Sequence, residues 1–350
     1  MTLGKTGILL VNLGTPDSPS GLDVYRYLIE FLIDPRVIDT SWLTRQFLVR
    51  GAIAPFRFRQ SARSYRAIWT SEGSPLKLYG YRVQKLLQEQ LGENYCVELG
   101  MRYRHPSIEQ GLNKLIRSQV QRIIIMPLFP HYASATTGSV HQKVMDLVSR
   151  YEVIPEITFV SHYGSHPKLI EAFCAVAGKF DFKNYDHVIF SFHGLPKRHI
   201  LKADMQGCCL QSSDCCQKMT LRNKNCYSAQ CYATAKALAD ACIIPTEKYS
   251  VVFQSRLGKD PWLQPYFSGM IEKLAHQGNK KVLVFCPSFV CDCLETLYEI
   301  GVEYAAEFKK AGGERLDLVP GLNDHPKWIE ALVEIIKEKT VEATCPTSLV

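Results

Sequence analysis

No stretch of the chain approaches the ~20 consecutive apolar residues of a membrane-spanning helix. The apolar run at residues 8–13 is broken by Gly14-Thr-Pro16 and is too short for the core of a secretion signal. These two absences predict a cytoplasmic protein. Also missing are the Gly-x-Gly-x-x-Gly fingerprint of dinucleotide sites and the phosphate loop of nucleotide-hydrolysing enzymes. Positions 41–71 hold no Asp or Glu, while Arg45, Arg50, Arg57, Arg59, Arg63 and Arg66 are interleaved there with Trp42, Leu43, Phe47, Leu48, Ile53, Phe56 and Phe58. No nucleic-acid-binding motif accompanies this basic stretch, so nucleic acid is not an expected partner. Arginines among large apolar groups suit a partner both anionic and greasy, such as a phospholipid face or an amphiphilic carboxylate.

What is present is the material of a globular enzyme. The 350 residues, 46% hydrophobic and 21% charged with a net charge of +7, suffice for two lobes of about 150 residues, each able to bury a core. Four apolar runs, at 8–12, 122–126, 188–192 and 281–285, each end in Gly, Pro or a polar cluster and precede a segment with helical potential. Weaker strands are predicted at 95–99, 157–160 and 250–253. Strands alternating with helices imply parallel βαβ units, so the fold class is α/β with doubly wound parallel sheets. The first two strong runs are spaced much like the last two, which points to two related lobes. The expected division is 1–165, carrying a basic and apolar lip at 40–75; then 166–338, carrying a cysteine-rich insertion at 202–232; then a tail at 339–350.

In open α/β sheets, ligands bind beyond the carboxyl ends of the strands. One such end is Val188-Ile-Phe-Ser-Phe-His193, followed at once by Gly194-Leu-Pro196. A lone histidine is more often a packed or capping residue than a chemical one. A second strand end changes that balance: Asp292-Cys-Leu-Glu295-Thr-Leu-Tyr-Glu299 follows the run at 281–285. A helix predicted over 293–308 would stack Glu295, Glu299 and Glu303 along one face. Like charges at that spacing repel, so the row is either a solvated stripe or a path for cations or protons. An imidazole facing a carboxylate can accept protons and bind a divalent first-row metal while leaving coordination positions open, which suits delivery of an ion rather than its retention.

These residues resemble the ferrochelatases, which insert ferrous iron into protoporphyrin IX to make haem. The resemblance is carried, in family order, by the block from Ile8 to Pro16, Gly73-Ser-Pro75, Met101-Arg-Tyr103, Thr136-Thr-Gly-Ser139, Ser191-Phe-His-Gly-Leu-Pro196, Phe253-Gln-Ser-Arg256-Leu-Gly258, Pro261-Trp-Leu263 and Asp292-Cys-Leu-Glu295-Thr-Leu-Tyr-Glu299. It implies two Rossmann-like lobes of the chelatase type with the porphyrin clamped between them, and a lip that meets the macrocycle or an anionic membrane surface. It further implies that Arg57, Tyr65, Ser74, Leu13 and Trp262 contact the porphyrin. His193 would be the general base or an iron ligand, Glu295 its partner, and Glu299 and Glu303 a relay. Two departures stand out: Cys293 occupies a position where many members carry histidine, and Leu13 stands where coproporphyrin-using members tend to have tyrosine. The expected substrates are therefore protoporphyrin IX and ferrous iron, with coproporphyrin III as the alternative. A module that holds porphyrin or haem and senses redox state without turnover is the reading from a different class.

Six of the thirteen cysteines fall between Cys208 and Cys231. Without an export signal, disulfides are not the expected use. Zinc sites favour cysteines separated by two to four residues, which only Cys226 and Cys231 satisfy. An iron–sulfur cluster tolerates looser spacing and needs four thiolates. Some ferrochelatases hold a [2Fe-2S] cluster through C-terminal cysteines plus one in the first lobe, but this chain offers only Cys345 and, near the first-lobe position, Ser134. It resembles instead the bacterial members with an internal cysteine group. Taking one cysteine from each adjacent pair gives Cys208, Cys215, Cys226 and Cys231 as the expected cluster ligands, with zinc or free thiols as alternatives.

Overall fold

The computed structural model describes residues 4–342 except Ser213, Leu257 and Lys259. The chain divides into two units, each built on its own sheet. The first comprises residues up to 128, 134–163 and from 324 onward; the second comprises 129–133 and 164–323. This division is discontinuous, unlike the predicted boundaries at 165 and 338, because the last helix among the described residues, Pro326–Glu342, packs on the first unit. Of the predicted tail at 339–350, residues 343–350 lie outside the described residues.

In the first unit, β1 (Thr6–Gly14), β2 (Tyr95–Tyr103), β3 (Arg122–Pro127) and β4 (Glu156–Phe159) form a parallel sheet in the order β2-β1-β3-β4. Ile8, Leu9, Leu10 and Val11 are fully buried, as expected for a central strand covered on both faces. The Met101-Arg-Tyr103 block supplies a structural network: the Arg102 guanidinium lies 2.5 Å from the Asp34 carboxylate, and Tyr103 and Ser139 donate hydroxyl hydrogen bonds to the same oxygen.

In the second unit, β5 (His187–His193), β6 (Tyr249–Gln254), β7 (Lys281–Phe285) and β8 (Arg315–Leu318) repeat that order as β6-β5-β7-β8, again all parallel. Ile189, Val252, Phe267, Val284 and Phe308 share one of its cores. The two sheets thus have one topology, which makes the duplication hinted at by the spacing of apolar runs a structural fact. β8 escapes the sequence because Arg315-Leu-Asp-Leu318 is short and half polar.

The strand order decides where a ligand site lies. From β5 the chain goes to one neighbour, β6, and then crosses to the other side, β7, so the crevice beyond the ends of β5 and β7 is the topological switch point. His193 ends β5, and the acidic segment follows β7.

Two local expectations are corrected. The predicted α-helix at 293–308 is a π-helix over Leu294–Tyr304 that passes into a short α-helix, Ala305–Lys310. A four-residue carboxylate spacing falls on one side of either helix type, so periodicity could not distinguish them. Arg45, counted among the lip cations, is buried and donates to the carbonyls of Ile38 and Thr40. The rest of the lip consists of helices Trp42–Phe47 and Ala54–Ile68 joined by a π turn, Leu48–Ile53.

Candidate active site

His193 is partly buried, and its Nδ1 lies 2.7 Å from the Gly194 carbonyl oxygen. A carbonyl can only accept, so the proton of the neutral ring sits on Nδ1 and Nε2 is left as the basic nitrogen. The peptide between His193 and Gly194 is held at both ends. Its oxygen accepts from the Tyr227 hydroxyl at 2.8 Å, and its N–H donates to the Gln254 carbonyl at 2.8 Å. Gly194 is required here: a Cβ would lie 2.7 Å from the Gln254 carbonyl oxygen and 3.1 Å from the Trp262 ring. Trp262 and Phe289 flank the imidazole with ring centroids at 6.5 and 6.3 Å.

The carboxylates are organised by two residues at the end of β6. Gln254, 1% exposed, accepts from Ser191 Oγ at 2.7 Å through Oε1. Its Nε2 donates to the Glu295 carbonyl at 3.1 Å and to Glu299 Oε2 at 3.3 Å. Ser255 donates to that same Glu299 oxygen at 2.6 Å, from a backbone with φ of +66°. Burial pushes the Glu299 carboxyl above its ordinary range, and Glu295 adds to the rise; the Ser255 hydrogen bond and the neighbouring His193 oppose it. Glu303, exposed, is raised more simply, by local desolvation and by Glu307. The Cys293 thiol is pushed far up by burial and by Glu295, which keeps it neutral. Asp292 is committed to structure, accepting from Thr296 Oγ1, the Gly321 N–H and Asn323 Nδ2.

The second unit therefore brings His193, Glu295, Glu299 and Trp262 to one strand-end site, with Glu303 further along the π-helix toward solvent. Leu13, Arg57, Tyr65 and Ser74 belong to the first unit. Leu13 is half-buried at the end of β1, and Ser74 is buried and bonded to Thr15. Tyr65 is buried with its ring against Tyr27 and Trp69, whereas Arg57 is exposed. Gln254 and Ser255 entered the sequence reading only within the Phe253-Gln-Ser-Arg256 block, with no role assigned, and Tyr227 did not enter it. A signal existed for the first two, which close a strand beside the His193 strand; none existed for Tyr227.

The cysteine insertion forms a pocket in the same unit. Cys216 Sγ lies 3.5 Å from Cys215 Sγ and 4.0 Å from Cys226 Sγ, and Cys209 interacts electrostatically with Cys216 and Cys226. Two thiolates on one tetrahedral ion with bonds of ~2.3 Å stand ~3.8 Å apart, a spacing that the Cys215–Cys216 and Cys216–Cys226 pairs approach, while Asp204, Cys208 and Cys209 place three ligand atoms within 4.8 Å of one another beside them. Burial pushes the Cys209 thiol to about 11 and raises Cys215; Cys216 is raised most strongly by its contact with Cys226. The grouping differs from one cysteine per adjacent pair, since Cys215 and Cys216 turn to the same place. Cys208 instead faces Asp204 and the Arg222 carbonyl, and Cys231 is fully buried against Tyr227.

A sequence model of the ferrochelatase family matches residues 5–340. The chain is 41% identical over 335 residues to the ferrochelatase of Coxiella burnetii (strain CbuK_Q154), covering 95% of this chain and 94% of that protein. It is 42% identical over 335 residues to the ferrochelatase of Legionella pneumophila (strain Lens), covering 96% and 99%. Among solved structures, SirB from Bacillus subtilis with Fe3+ has a similar fold, with a TM-score of 0.54 at 12% identity over 97% of each chain. With the family match running almost end to end, the chain belongs to the ferrochelatases, metal chelatases of the lyase class that act in haem synthesis.

Proposed function

We propose that the enzyme inserts ferrous iron into protoporphyrin IX, with His193 Nε2 taking a pyrrole N–H proton. The observation that carries this reading is the fixed tautomer of His193 beside a buried, raised carboxyl, Glu299. Two protons must leave the macrocycle for each ferrous ion that enters. The first goes to Nε2, and the imidazolium so formed is stabilised by the Glu299 charge. Glu295, Glu299 and the exposed Glu303 then pass protons outward, or deliver iron inward, along the π-helix. Trp262 and Phe289 offer ring faces to the macrocycle. A porphyrin bent out of plane exposes its nitrogen lone pairs, so binding that form more tightly lowers the barrier.

By family position Arg57, Tyr65, Ser74 and Leu13 also serve the porphyrin. Arg57 meets a propionate, Leu13 presents an apolar surface that favours protoporphyrin over the more carboxylated coproporphyrin III, and the buried Tyr65 and Ser74 support the wall behind them. The lip exposes Trp42, Leu43, Phe47 and Phe56 at 63%, 73%, 81% and 82%. Among the described residues no helix is long and apolar enough to cross a membrane, and these side chains with their arginines suit peripheral docking of a cytoplasmic enzyme on an anionic bilayer. Cys209, Cys215, Cys216 and Cys226 replace the one-per-pair set as the proposed ligands of a [2Fe-2S] cluster, whose chemistry when bound is one-electron exchange.

The test is anaerobic insertion of ferrous iron into protoporphyrin IX and coproporphyrin III in parallel, followed by absorbance. Faster turnover of protoporphyrin is expected, and faster turnover of coproporphyrin overturns the substrate assignment. His193→Ala should lower turnover by ~10²–10⁴-fold, the usual worth of a general base; retained activity removes the base assignment. No turnover of either porphyrin by the pure protein leaves the porphyrin-holding sensor.

A further inference from the structure

The helix Tyr227–Ala241 starts between the thiol pocket and the histidine, and its first residues are placed to connect them. Its N-cap is Cys226, which makes no side-chain capping bond to the helix, and Tyr227, Ser228, Ala229, Gln230 and Cys231 behind it are all buried. Gln230 pins this turn on two sides, donating to the Lys224 carbonyl at 2.9 Å and accepting from the Tyr132 N–H at 2.8 Å. The pocket thiol of Cys226 and the hydroxyl that bonds the His193 carbonyl belong to consecutive residues. That hydroxyl also lies 3.2 Å from Ser288 Oγ, and the Cys231 thiol contacts it from the next turn.

We propose that Tyr227 is a positioning residue that sets the His193–Gly194 peptide and makes its position depend on what the thiol pocket holds. This rests on the reading that the pocket binds a metal or cluster. The peptide is clamped between Tyr227 on its carbonyl and Gln254 on its N–H, and the Gly194 carbonyl in turn fixes the imidazole. With Cys226 ligated, the N-cap is anchored and the first turn holds the clamp closed. With the pocket empty, Cys226 keeps only its weak thiol contact to Cys216, so the first turn is held less firmly and the Tyr227 side of the clamp loosens. Tyr227 touches neither porphyrin nor iron in this account; its effect reaches the reaction through the aim of His193.

The experiment uses Tyr227→Phe, which keeps the ring and removes the hydroxyl. The full-length protein is reconstituted anaerobically with ferrous iron and sulfide, or stripped by a strong chelator. Both forms are then cleared of weakly held ions, and iron and acid-labile sulfide are counted before any comparison. Amide exchange of residues 193–196 is measured by mass spectrometry. In wild type, stripping should speed exchange there by about tenfold, the effect of one lost hydrogen bond. In Tyr227→Phe, exchange should be fast in both forms, with turnover of porphyrin down about tenfold and its KM within twofold. Cys226→Ala, which removes the thiol without supplying a new helix cap, gives the same test without touching Tyr227: its exchange should match that of stripped wild type. If Tyr227→Phe exchanges like wild type, or responds to loading as wild type does, the proposal is wrong. If no form takes up iron or sulfide, the cluster reading fails by itself, and the stripped wild type against Tyr227→Phe still decides whether the hydroxyl holds the peptide.

Discussion

Ser255 sits at a φ of +66°, in a region where a side chain costs roughly 1–2 kcal/mol, and its hydroxyl is spent on Glu299. The strain and the hydrogen bond belong together, and two substitutions separate them. Ser255→Gly and Ser255→Ala both lose the hydroxyl, but only alanine keeps a Cβ at positive φ. Urea denaturation should find Ser255→Ala less stable than Ser255→Gly by about 1 kcal/mol, while both raise the Glu299 pKa and move the acid limb of the activity profile upward. Equal stability would mean that the backbone there relaxes. Glu299 itself gives a second prediction. Burial raises its pKa above the ordinary 4.5, so the stability it contributes is complete below that value and is lost as pH rises through the raised one. Glu299→Gln, which cannot ionise, should therefore be more stable than wild type at pH 7 and no more stable at pH 4. The same difference at both values would show that folding and this titration are not linked. At this scale the sequence was legible where chemistry needs a rare residue type at a strand end: His193 and the acidic row are of that kind. Gln254 and Ser255 were marked only by closing a strand beside that of His193, and Tyr227 is a common residue whose importance lies in what it touches, which no single sequence displays.

The π-helix Leu294–Tyr304 starts at a capping box between Cys293 and Thr296, and Asp292 ties that start to the rest of the unit. The Asp292 carboxylate gathers donors from Thr296, Gly321 and Asn323, tying the end of β7 to the segment after β8. Asp292→Ala leaves those buried donors unpaired, at ~1–3 kcal/mol for each. It should destabilise the protein by about 3 kcal/mol and lower turnover as well, because Glu295 lies only three residues on. Asp292→Asn, which retains one carbonyl oxygen, should recover part of both losses. Chemical denaturation and the insertion assay measure the two effects, and a variant that loses stability without losing activity would show that the carboxylates do not depend on this anchor. Among the described residues, seven of the eight strands were legible as apolar runs because both faces of a parallel sheet are covered. The helix type after β7 was not, since hydrophobic and charge periodicity constrain the side chains and not the backbone hydrogen-bond register.

At the level of the whole chain, the last helix belongs to the first sheet. Trp328, 1% exposed, stacks on Tyr163, and the Arg122 guanidinium reaches the Thr340 carbonyl at 3.2 Å. Trp328→Ala should cost ~3–5 kcal/mol, and hydrogen exchange should show the loss in β1 and β3, whereas β5 and β7 remain protected. Loss of protection confined to β5 and β7 would contradict the division into units. The duplicated strand order was foreshadowed by the spacing of apolar runs, but the return of the terminal helix was not, because an amphipathic helix does not say which of two similar sheets it covers.

That return fixes an order of assembly during synthesis. The second unit has all of its chain once residue 323 has emerged, whereas the first, begun at β1, waits for residues 326–342. At ~5–20 residues per second, roughly 10–40 s pass between the emergence of residue 163 and completion of that helix. The half translated first is the half finished last, and throughout that interval the surface destined for the final helix stays open to chaperones and to neighbouring nascent chains.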